Sequence, residues 1–307
     1  MELPRILLID DDRSYCKRMV KEALTEGFVL IYEHSLDEGI KILEEREDIV
    51  GVILDSHCYV YENQKDPPGA NFITHAIEQL STLRESHNRH PVICVNTDNR
   101  EEFEKQLTGY SPVFAKGETH PEIWKFLKEN VQKLPSIIIK EDYPEIFDNI
   151  HLLYTEELEY ELLDLIAYQR RGKHTDIPNR LSQVRRLLEW AIGKTYQELF
   201  KKDVQEILES GRAGFAAQSL SILNKADIVN RHMYKIIHLA YSFCSEYGNH
   251  APLKQSPMPL NSITLNYLVG ALLLSIDYFL RTLENKEQAF EKVIDYLNKE
   301  LEKKQNH

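Results

Sequence analysis

The sequence has few cysteines, and none of them form a closely spaced pair. Only four of the 307 residues are cysteines, and long stretches separate them: Cys16, Cys58, Cys94 and Cys244. Zinc ribbons and disulfide-stapled domains need cysteines at short, regular spacings, so this distribution argues against both classes. Isolated cysteines are typical of proteins in a reducing compartment, and we therefore expect a cytoplasmic protein.

Long apolar runs are also lacking. The most apolar segment, LNYLVGALLLSIDYFL at 265–280, carries Asn266 and Asp277 and is shorter than the roughly 20 apolar residues of a membrane span. Near the start of the sequence, a cluster of aspartates ends the first apolar run, which is not the pattern of a signal peptide. We expect a soluble protein with no membrane partner, in which 265–280 is a buried helix of a bundle.

An excess of positive charge is the third absence, since the formal net charge is −12. Residues 151–307 contain 20 basic and 20 acidic residues. The chain has 37 basic and 49 acidic residues, so residues 1–150 contain the other 17 basic and 29 acidic residues. The whole negative excess lies in the first half, and DNA is not an expected partner. One local basic cluster, at 169–186, is best explained as a solvated loop and helix face, with a polyanion contact as the sharper alternative.

The sequence does contain a change of pattern between its two halves. Short apolar runs alternate with amphipathic patterns up to about residue 133, and the strand signals then stop. Strands that alternate with helices form a parallel sheet covered on both faces, through right-handed crossovers. We therefore predict an α/β domain at 1–133, a linker at 134–149 and an all-helical domain at 150–307. The predicted strands are 5–9, 28–32, 50–54, 91–95 and 112–115, and the predicted helices between them are 13–24, 36–45, 71–83 and 121–134.

The second half contains long helical patterns. The predicted helices are about 148–170, 179–200, 203–224, 227–247 and 262–304. Apolar residues at helical spacing on these segments are assigned to the core, including Tyr234, Leu239, Phe243 and Leu272–Leu274. The charged, heptad-like pattern at 289–305 predicts a terminal amphipathic helix suited to docking or to a homodimer.

Three aspartates are predicted to meet at the ends of two neighbouring strands. Asp10 and Asp11 follow the first strand in ILLIDDD, and Asp55 ends the third strand in VILDSH. Ligands of an open parallel sheet bind beyond the carboxyl ends of its strands, where the strand order reverses. Carboxylates that meet there raise one another's pKa unless a cation compensates them, and Mg²⁺ prefers such oxygen ligands. The alternative for the aspartate run is a solvated turn, and Asp12 is expected to cap the next helix.

Two other strand ends carry groups that suit phosphoryl oxygens. Lys116 ends the fifth strand in VFAKGE, and Asn96 and Thr97 end the fourth in ICVNTD. A protonated lysine cannot ligate a metal, but it attracts phosphoryl oxygens as a point charge. The combined set predicts phosphoryl transfer, with one carboxylate as the acceptor and with the metal and the lysine neutralising the developing charge.

In their order and spacing, the strand-end residues of 1–133 resemble those of a response-regulator receiver domain from two-component signalling. The resemblance implies a flavodoxin-like (βα)5 fold with the strand order 2-1-3-4-5, and it makes Asp55 the phospho-acceptor. The implied Mg²⁺ ligands are Asp10, Asp11, Asp55 and His57, the last through its backbone carbonyl, and the implied phosphoryl contacts are Lys116, Asn96 and Thr97.

Several departures from the family pattern bear on how such a domain would switch. The position after the fourth strand, which usually holds Ser or Thr, holds Asn96. Lys116 is followed by Gly117 and not by the usual proline, and the usual aromatic switch position holds Val113. The loop at 56–71 is longer than is typical of the family and is predicted to gate access to the acceptor.

Parts of 150–285 resemble the HEPN superfamily of helical bundles. The segments that carry the resemblance are RLSQVRRLLEWAIGK at 180–194 and NRHMYKIIH at 230–238, the second being similar to the Arg-then-His pattern of HEPN ribonucleases. The resemblance implies that Arg231 binds phosphate and that His238 acts near the cleaved bond. These two residues are seven apart and lie on about the same helical face, which also suits a structural pair.

These expectations lead to one leading function and two alternatives. A response regulator would be phosphorylated on Asp55 by a sensor histidine kinase or a phosphotransfer protein, and this would change what the helical domain binds. In the first alternative, the receiver gates a HEPN-like ribonuclease that uses Arg231 and His238. In the second, the receiver is never phosphorylated and the protein is a scaffold.

Overall fold

The structure is a computed structural model that describes residues 3–69, 71–87, 90–107, 111–117, 119–172, 176–201, 215–247 and 261–305. The chain divides into two compact units, 1–138 and 139–307. All four cysteines are buried free thiols.

The first unit contains a five-stranded parallel sheet in the order β2-β1-β3-β4-β5, which confirms the predicted fold. Its strands are β1 (Arg5–Ile9), β2 (Val29–Glu33), β3 (Ile49–Asp55), β4 (Val92–Thr97) and β5 (Val113–Ala115). Its helices are α1 (Arg13–Thr25), α2 (Leu36–Glu45), α3 (Asn71–His87), α4 (Arg100–Gln106) and α5 (Pro121–Val131).

The central strand β1 shows why both faces of the sheet are covered. Side chains of a strand alternate between the two faces. Ile6 and Leu8 pack in a cluster with α1 and α5, whereas Leu7 and Ile9 pack in a second cluster with α2, α3 and α4. All four are completely buried, as expected of a strand in the middle of a parallel sheet.

One helix of this unit was not predicted from the sequence. Helix α4 lies between β4 and β5, and Phe103 is its buried apolar residue, with Leu107 buried just after its end. A helix of seven residues with so few apolar positions gives no clear periodic pattern. The predicted strands are correct to within two residues at each end.

The described part of the second unit contains helices and no strand, as predicted. Two short helices, α6 (Pro135–Asp142) and α7 (Pro144–Phe147), lie in the segment predicted as a linker, which is therefore largely helical. The division between the two units falls within α6. The longer helices are α8 (Glu156–Arg170), α9 (Ile177–Phe200), α10 (Phe215–Lys225), α11 (Arg231–Tyr247), α12 (Ser262–Glu284) and α13 (Lys286–Gln305). Of the predicted helix 203–224, residues 203–214 lie outside the described residues.

The last predicted helix is interrupted in the structure. Helix α12 ends at Glu284, and the side-chain amide and backbone N–H of the next residue, Asn285, both donate to the carbonyl oxygen of Arg281. An asparagine side chain that satisfies the last carbonyls offers the backbone an alternative to a further helical turn. The chain then begins α13 at Lys286.

Helix α12 is the one described helix that is long and apolar enough to cross a membrane, and half of its most apolar 18-residue window is buried inside the protein. Leu272 is fully buried, as predicted, but Leu274 is 46% exposed. On α11, Leu239 is 55% exposed, so its assignment to the core was wrong as well. Periodicity identified these helices but not how far the buried stripe extends around each one.

Candidate functional site

The sheet brings the predicted acidic residues to one edge. Strands β1 and β3 are neighbours although β2 lies between them in sequence, so the strand order reverses at this point. Asp10 directly follows β1, and Asp55 is the last residue of β3. In an open α/β sheet, this switch point at the carboxyl ends of the strands is where ligands bind.

The three aspartates form one cluster. Asp10, Asp11 and Asp55 each offer a carboxylate oxygen, and these three oxygens lie within 4.8 Å of one another. Asp10 is completely buried, Asp55 is 6% exposed and Asp11 is half-buried. Burial, followed by the charge of Asp55, raises the pKa of Asp10 from its ordinary value of 3.8 to about 6, against the opposing effect of Lys116. Burial also raises the pKa of Asp11. Ionisation of Asp10 and Asp11 in the folded protein therefore carries a cost, which a bound cation would offset.

Lys116 joins two of these carboxylates. Its ammonium nitrogen lies 2.8 Å from Oδ2 of Asp10 and 2.8 Å from Oδ2 of Asp55. Burial alone would lower the pKa of Lys116, but the charges of Asp55 and Asp10 more than offset this effect and raise the pKa above its ordinary value. The lysine is thus a fixed positive charge directly beside the predicted phospho-acceptor. Asp11 forms no ion pair with any described residue.

Asp12 acts as the helix cap that the sequence predicts. Its Oδ1 accepts hydrogen bonds from the backbone N–H groups of Ser14 and Tyr15, 2.8 and 3.1 Å away, at the start of α1. The hydrogen bonds to Ser14 and Tyr15 lower the pKa of Asp12, the opposite of the effect at Asp10. The three consecutive aspartates therefore have different roles: Asp10 and Asp11 belong to the cluster with Asp55, whereas Asp12 caps α1.

The two polar residues at the end of β4 lie in different surroundings. Asn96 is the register partner of Asp55, so both side chains leave the sheet on the same face. Thr97 reaches the acceptor through Ser56: the two hydroxyls are 2.7 Å apart, and the Ser56 backbone N–H donates to Asp55 Oδ1 over 2.6 Å. The sequence prediction missed Ser56, although a hydroxyl directly after the predicted acceptor was a usable signal.

His57 and the loop that follows it lie beside the cluster. The exposed His57 ring contacts the Ser56 hydroxyl through Nδ1 at 2.9 Å and packs edge-on against Phe103. Further along, the carbonyl oxygens of Tyr59 and Val60 accept hydrogen bonds from the first backbone N–H groups of α2. The loop is thus attached to the start of α2 at these two residues, and whether it gates the acceptor stays a prediction.

A set of buried polar residues next to the cluster was not predicted at all. Tyr15 and His120 are each 3% exposed, and their side chains meet at 2.9 Å between the hydroxyl and Nε2. The Lys116 ammonium lies 4.8 Å from the centre of the Tyr15 ring, which suits a cation–π contact. Tyr15 and His120 are 105 residues apart, so no local sequence pattern links them.

The two residues that the HEPN-like resemblance singles out, Arg231 and His238, are both exposed in the helical unit. Arg231 is the first residue of α11, and His238 follows two turns later; both are exposed, as is Lys235 between them. The His238 ring packs against Tyr234 at 5.6 Å between ring centres and contacts the Ser242 hydroxyl at 3.5 Å. The pair therefore lies on an open helix surface and is not covered by the core.

No family model and no curated protein matches the sequence. Among solved structures, the chain is similar to the crystal structure of a sensor protein from Polaromonas sp. JS666, with 18% sequence identity and a TM-score of 0.33. The match covers 42% of this chain and 97% of that chain.

Proposed function

We propose that the protein is a two-component response regulator that accepts a phosphoryl group on Asp55. The observation that supports this proposal is the contact of one buried lysine with two carboxylates. Lys116 lies 2.8 Å from both Asp10 and Asp55, at the switch point of a parallel 2-1-3-4-5 sheet. An ion pair that only stabilised the fold would not need a third carboxylate, yet Asp11 lies in the same cluster.

The geometry suits phosphoryl transfer to a carboxylate. One oxygen of Asp55 would attack the phosphorus of the donor, and the bond to the donor's leaving atom would break with its electron pair staying on that atom. Lys116 would balance the charge that develops on the phosphoryl oxygens. Asp10, Asp11 and Asp55, with the backbone carbonyl of His57, would hold Mg²⁺, which supplies further charge neutralisation when bound.

The donor and the output follow from the same proposal. A sensor histidine kinase or a phosphotransfer protein would supply the phosphoryl group in the cytoplasm, as the resemblance of the first unit to receiver domains implies. The added charge would favour one of two surfaces of the first unit and so change what the helical unit binds. We do not propose DNA as that ligand, since residues 151–307 carry equal numbers of basic and acidic residues.

Incubation with a small acyl phosphate and Mg²⁺, followed by intact-mass measurement, tests the proposal. Wild type should gain the mass of one phosphoryl group, and the product should be labile at alkaline pH, as acyl phosphates are. Asp55→Asn should gain none, whereas Asp12→Asn should react like wild type because Asp12 only caps α1. Equal uptake, or equal failure, by wild type and Asp55→Asn would overturn the assignment.

A second candidate is a ribonuclease activity of the helical unit, controlled by the first. It is favoured by one observation: Arg231 and His238 are both exposed, two turns apart on α11, with the charge of Lys235 nearby. RNA would bind through its phosphates to the basic residues, and His238 would accept or donate a proton at the bond that is cleaved. Cleavage of single-stranded RNA by wild type but not by His238→Ala supports this candidate, and cleavage that is unchanged in His238→Ala rules it out. His232→Ala is the matched control, because His232 is also an exposed histidine of the same helix.

A further inference from the structure

A continuous row of hydrogen bonds leads away from the phosphoryl site through the first unit. It begins at Asn96 and passes through Tyr15, His120 and Glu22 to Trp124, and we call these five residues the Tyr15 relay. Asn96 Nδ2 donates to the Tyr15 hydroxyl, which lies 2.9 Å from His120 Nε2. On the other side of the ring, His120 Nδ1 lies 3.0 Å from Glu22 Oε2, to which the Trp124 indole also donates over 3.2 Å.

The neighbours of His120 fix the direction of these hydrogen bonds. The backbone N–H of Gly117 donates to His120 Nε2 over 3.3 Å, so this nitrogen accepts. The ring proton is therefore on Nδ1, where it donates to the Glu22 carboxylate. The Tyr15 hydroxyl, whose pKa is raised by burial and by the charge of Asp10, keeps its proton and donates it to His120 Nε2. It follows that Tyr15 accepts from Asn96 and that the amide orientation of Asn96 is determined by the relay.

This orientation leaves one buried atom unsatisfied. Asn96 is completely buried, and its Oδ1 has no hydrogen-bond partner among the described residues. A buried acceptor without a donor costs the folded protein free energy. The hydrogen bond from Nδ2 to Tyr15 therefore holds the amide in this orientation although Oδ1 stays unsatisfied. Asn96 is also the register partner of Asp55, which places it beside any group attached to that carboxylate.

We propose that the Asn96 amide is the sensor of the phosphoryl group and that Tyr15, His120 and Glu22 are positioning residues that set its two orientations. The inference rests on the proposed phosphorylation of Asp55. When a phosphoryl group is present, a turn of the amide by about 180° about its Cβ–Cγ bond exchanges Nδ2 and Oδ1. Nδ2 then donates to a phosphoryl oxygen, and Oδ1 accepts from the Tyr15 hydroxyl.

The single proton of the Tyr15 hydroxyl gives the relay two alternative hydrogen-bond arrangements. The Tyr15 hydroxyl has one proton, which goes either to His120 Nε2 or to Asn96 Oδ1. In the second state, His120 Nε2 loses this donor and keeps the longer hydrogen bond from Gly117, so the contacts of its ring with Glu22 change. Glu22 in turn holds the Trp124 indole, which is 2% exposed. The relay thus carries the change from the sheet edge to α1 and α5, with Asn96 at the position where receiver domains usually hold Ser or Thr.

Trp124 makes the relay measurable. The chain has two tryptophans, and Trp190→Phe removes the other, so that Trp124 emission reports on the first unit. In this background, a small acyl phosphate with Mg²⁺ should add one phosphoryl group and shift or quench the Trp124 emission. Tyr15→Phe keeps the ring but lacks the hydroxyl; it should still take up the phosphoryl group, with the emission response lost. His120→Ala should lose the response in the same way, which protects the test against a folding defect in one variant.

Tyr32→Phe is the matched control, because Tyr32 is a partly buried tyrosine of the same unit outside the relay and should keep the full response. An emission change that is equally large in Tyr15→Phe and His120→Ala overturns the relay, as does phosphoryl uptake by the parent protein without any emission change. Absence of uptake in the parent protein is detected separately by mass, and it overturns the proposed phosphorylation together with the relay.

Discussion

Replacement of Asp10 by asparagine should stabilise the protein while it weakens the proposed metal site. The Asp10 side chain is completely buried beside Asp55, and this environment raises its pKa to about 6. Because the folded state binds the proton more tightly than the unfolded state does, the stability cost is absent below pH 3.8, grows as the pH rises and is complete above about pH 6. Asparagine resembles the neutral form of the side chain and avoids this cost.

The magnitude follows from the pKa values. The interval from 3.8 to about 6 corresponds to about 3 kcal/mol, at about 1.4 kcal/mol for each pH unit. Linkage then gives Asp10→Asn an advantage in unfolding free energy of about 3 kcal/mol at pH 8 and about 1.5 kcal/mol at pH 5. Mg²⁺ should reduce this difference, since a concentration of ten times its dissociation constant would stabilise wild type by about 1.4 kcal/mol. Asp10→Asn should gain less from the metal, because it lacks one of the proposed ligands.

Urea unfolding at pH 5 and pH 8 measures these differences. In the Trp190→Phe background, Trp124 emission follows the first unit alone, and each variant is compared with and without Mg²⁺. Asp12→Asn is the control: asparagine caps a helix as well as aspartate does, so its stability should stay within about 0.5 kcal/mol of wild type. Equal unfolding free energies of wild type and Asp10→Asn at pH 8 without metal would refute the reasoning. Equal gains from Mg²⁺ would show that Asp10 is not a ligand of the proposed metal site.

Two further predictions concern packing. Gly39→Ala should lower the unfolding free energy of the first unit by about 1–3 kcal/mol in the same emission assay, because a Cβ atom on Gly39 would overlap the buried side chain of Ile9. Leu272→Ala should cost about 2–5 kcal/mol in the helical unit, whereas Leu274→Ala should cost less than about 0.5 kcal/mol, since Leu272 is fully buried and Leu274 is 46% exposed. Circular dichroism during urea unfolding compares the pair, and equal costs would contradict the assignment of Leu274 to the surface.

The fold of the first unit was predictable because its signals are local. A run such as Ile6–Ile9 is apolar throughout because both faces of a central strand are covered, and the amphipathic patterns between the strands have the helical period. Helix α4 escaped prediction because it buries too few side chains to produce a pattern. In the helical unit, Leu239 and Leu274 were assigned to the core because helical spacing does not reveal the width of the buried stripe.

The sequence by itself determined which residues end the strands, and so which carboxylates, amide and lysine meet at one edge of a parallel sheet. Only the tertiary structure decided how they are paired: Lys116 contacts both Asp10 and Asp55, and Thr97 reaches the acceptor through Ser56. The Tyr15–His120 contact likewise depends on the packing of α1, which contains Tyr15, and α5, which His120 directly precedes, on the same face of the sheet. Strand ends follow from local pattern and topology, but hydrogen-bond partners depend on side-chain positions that are set by packing between elements far apart in the chain.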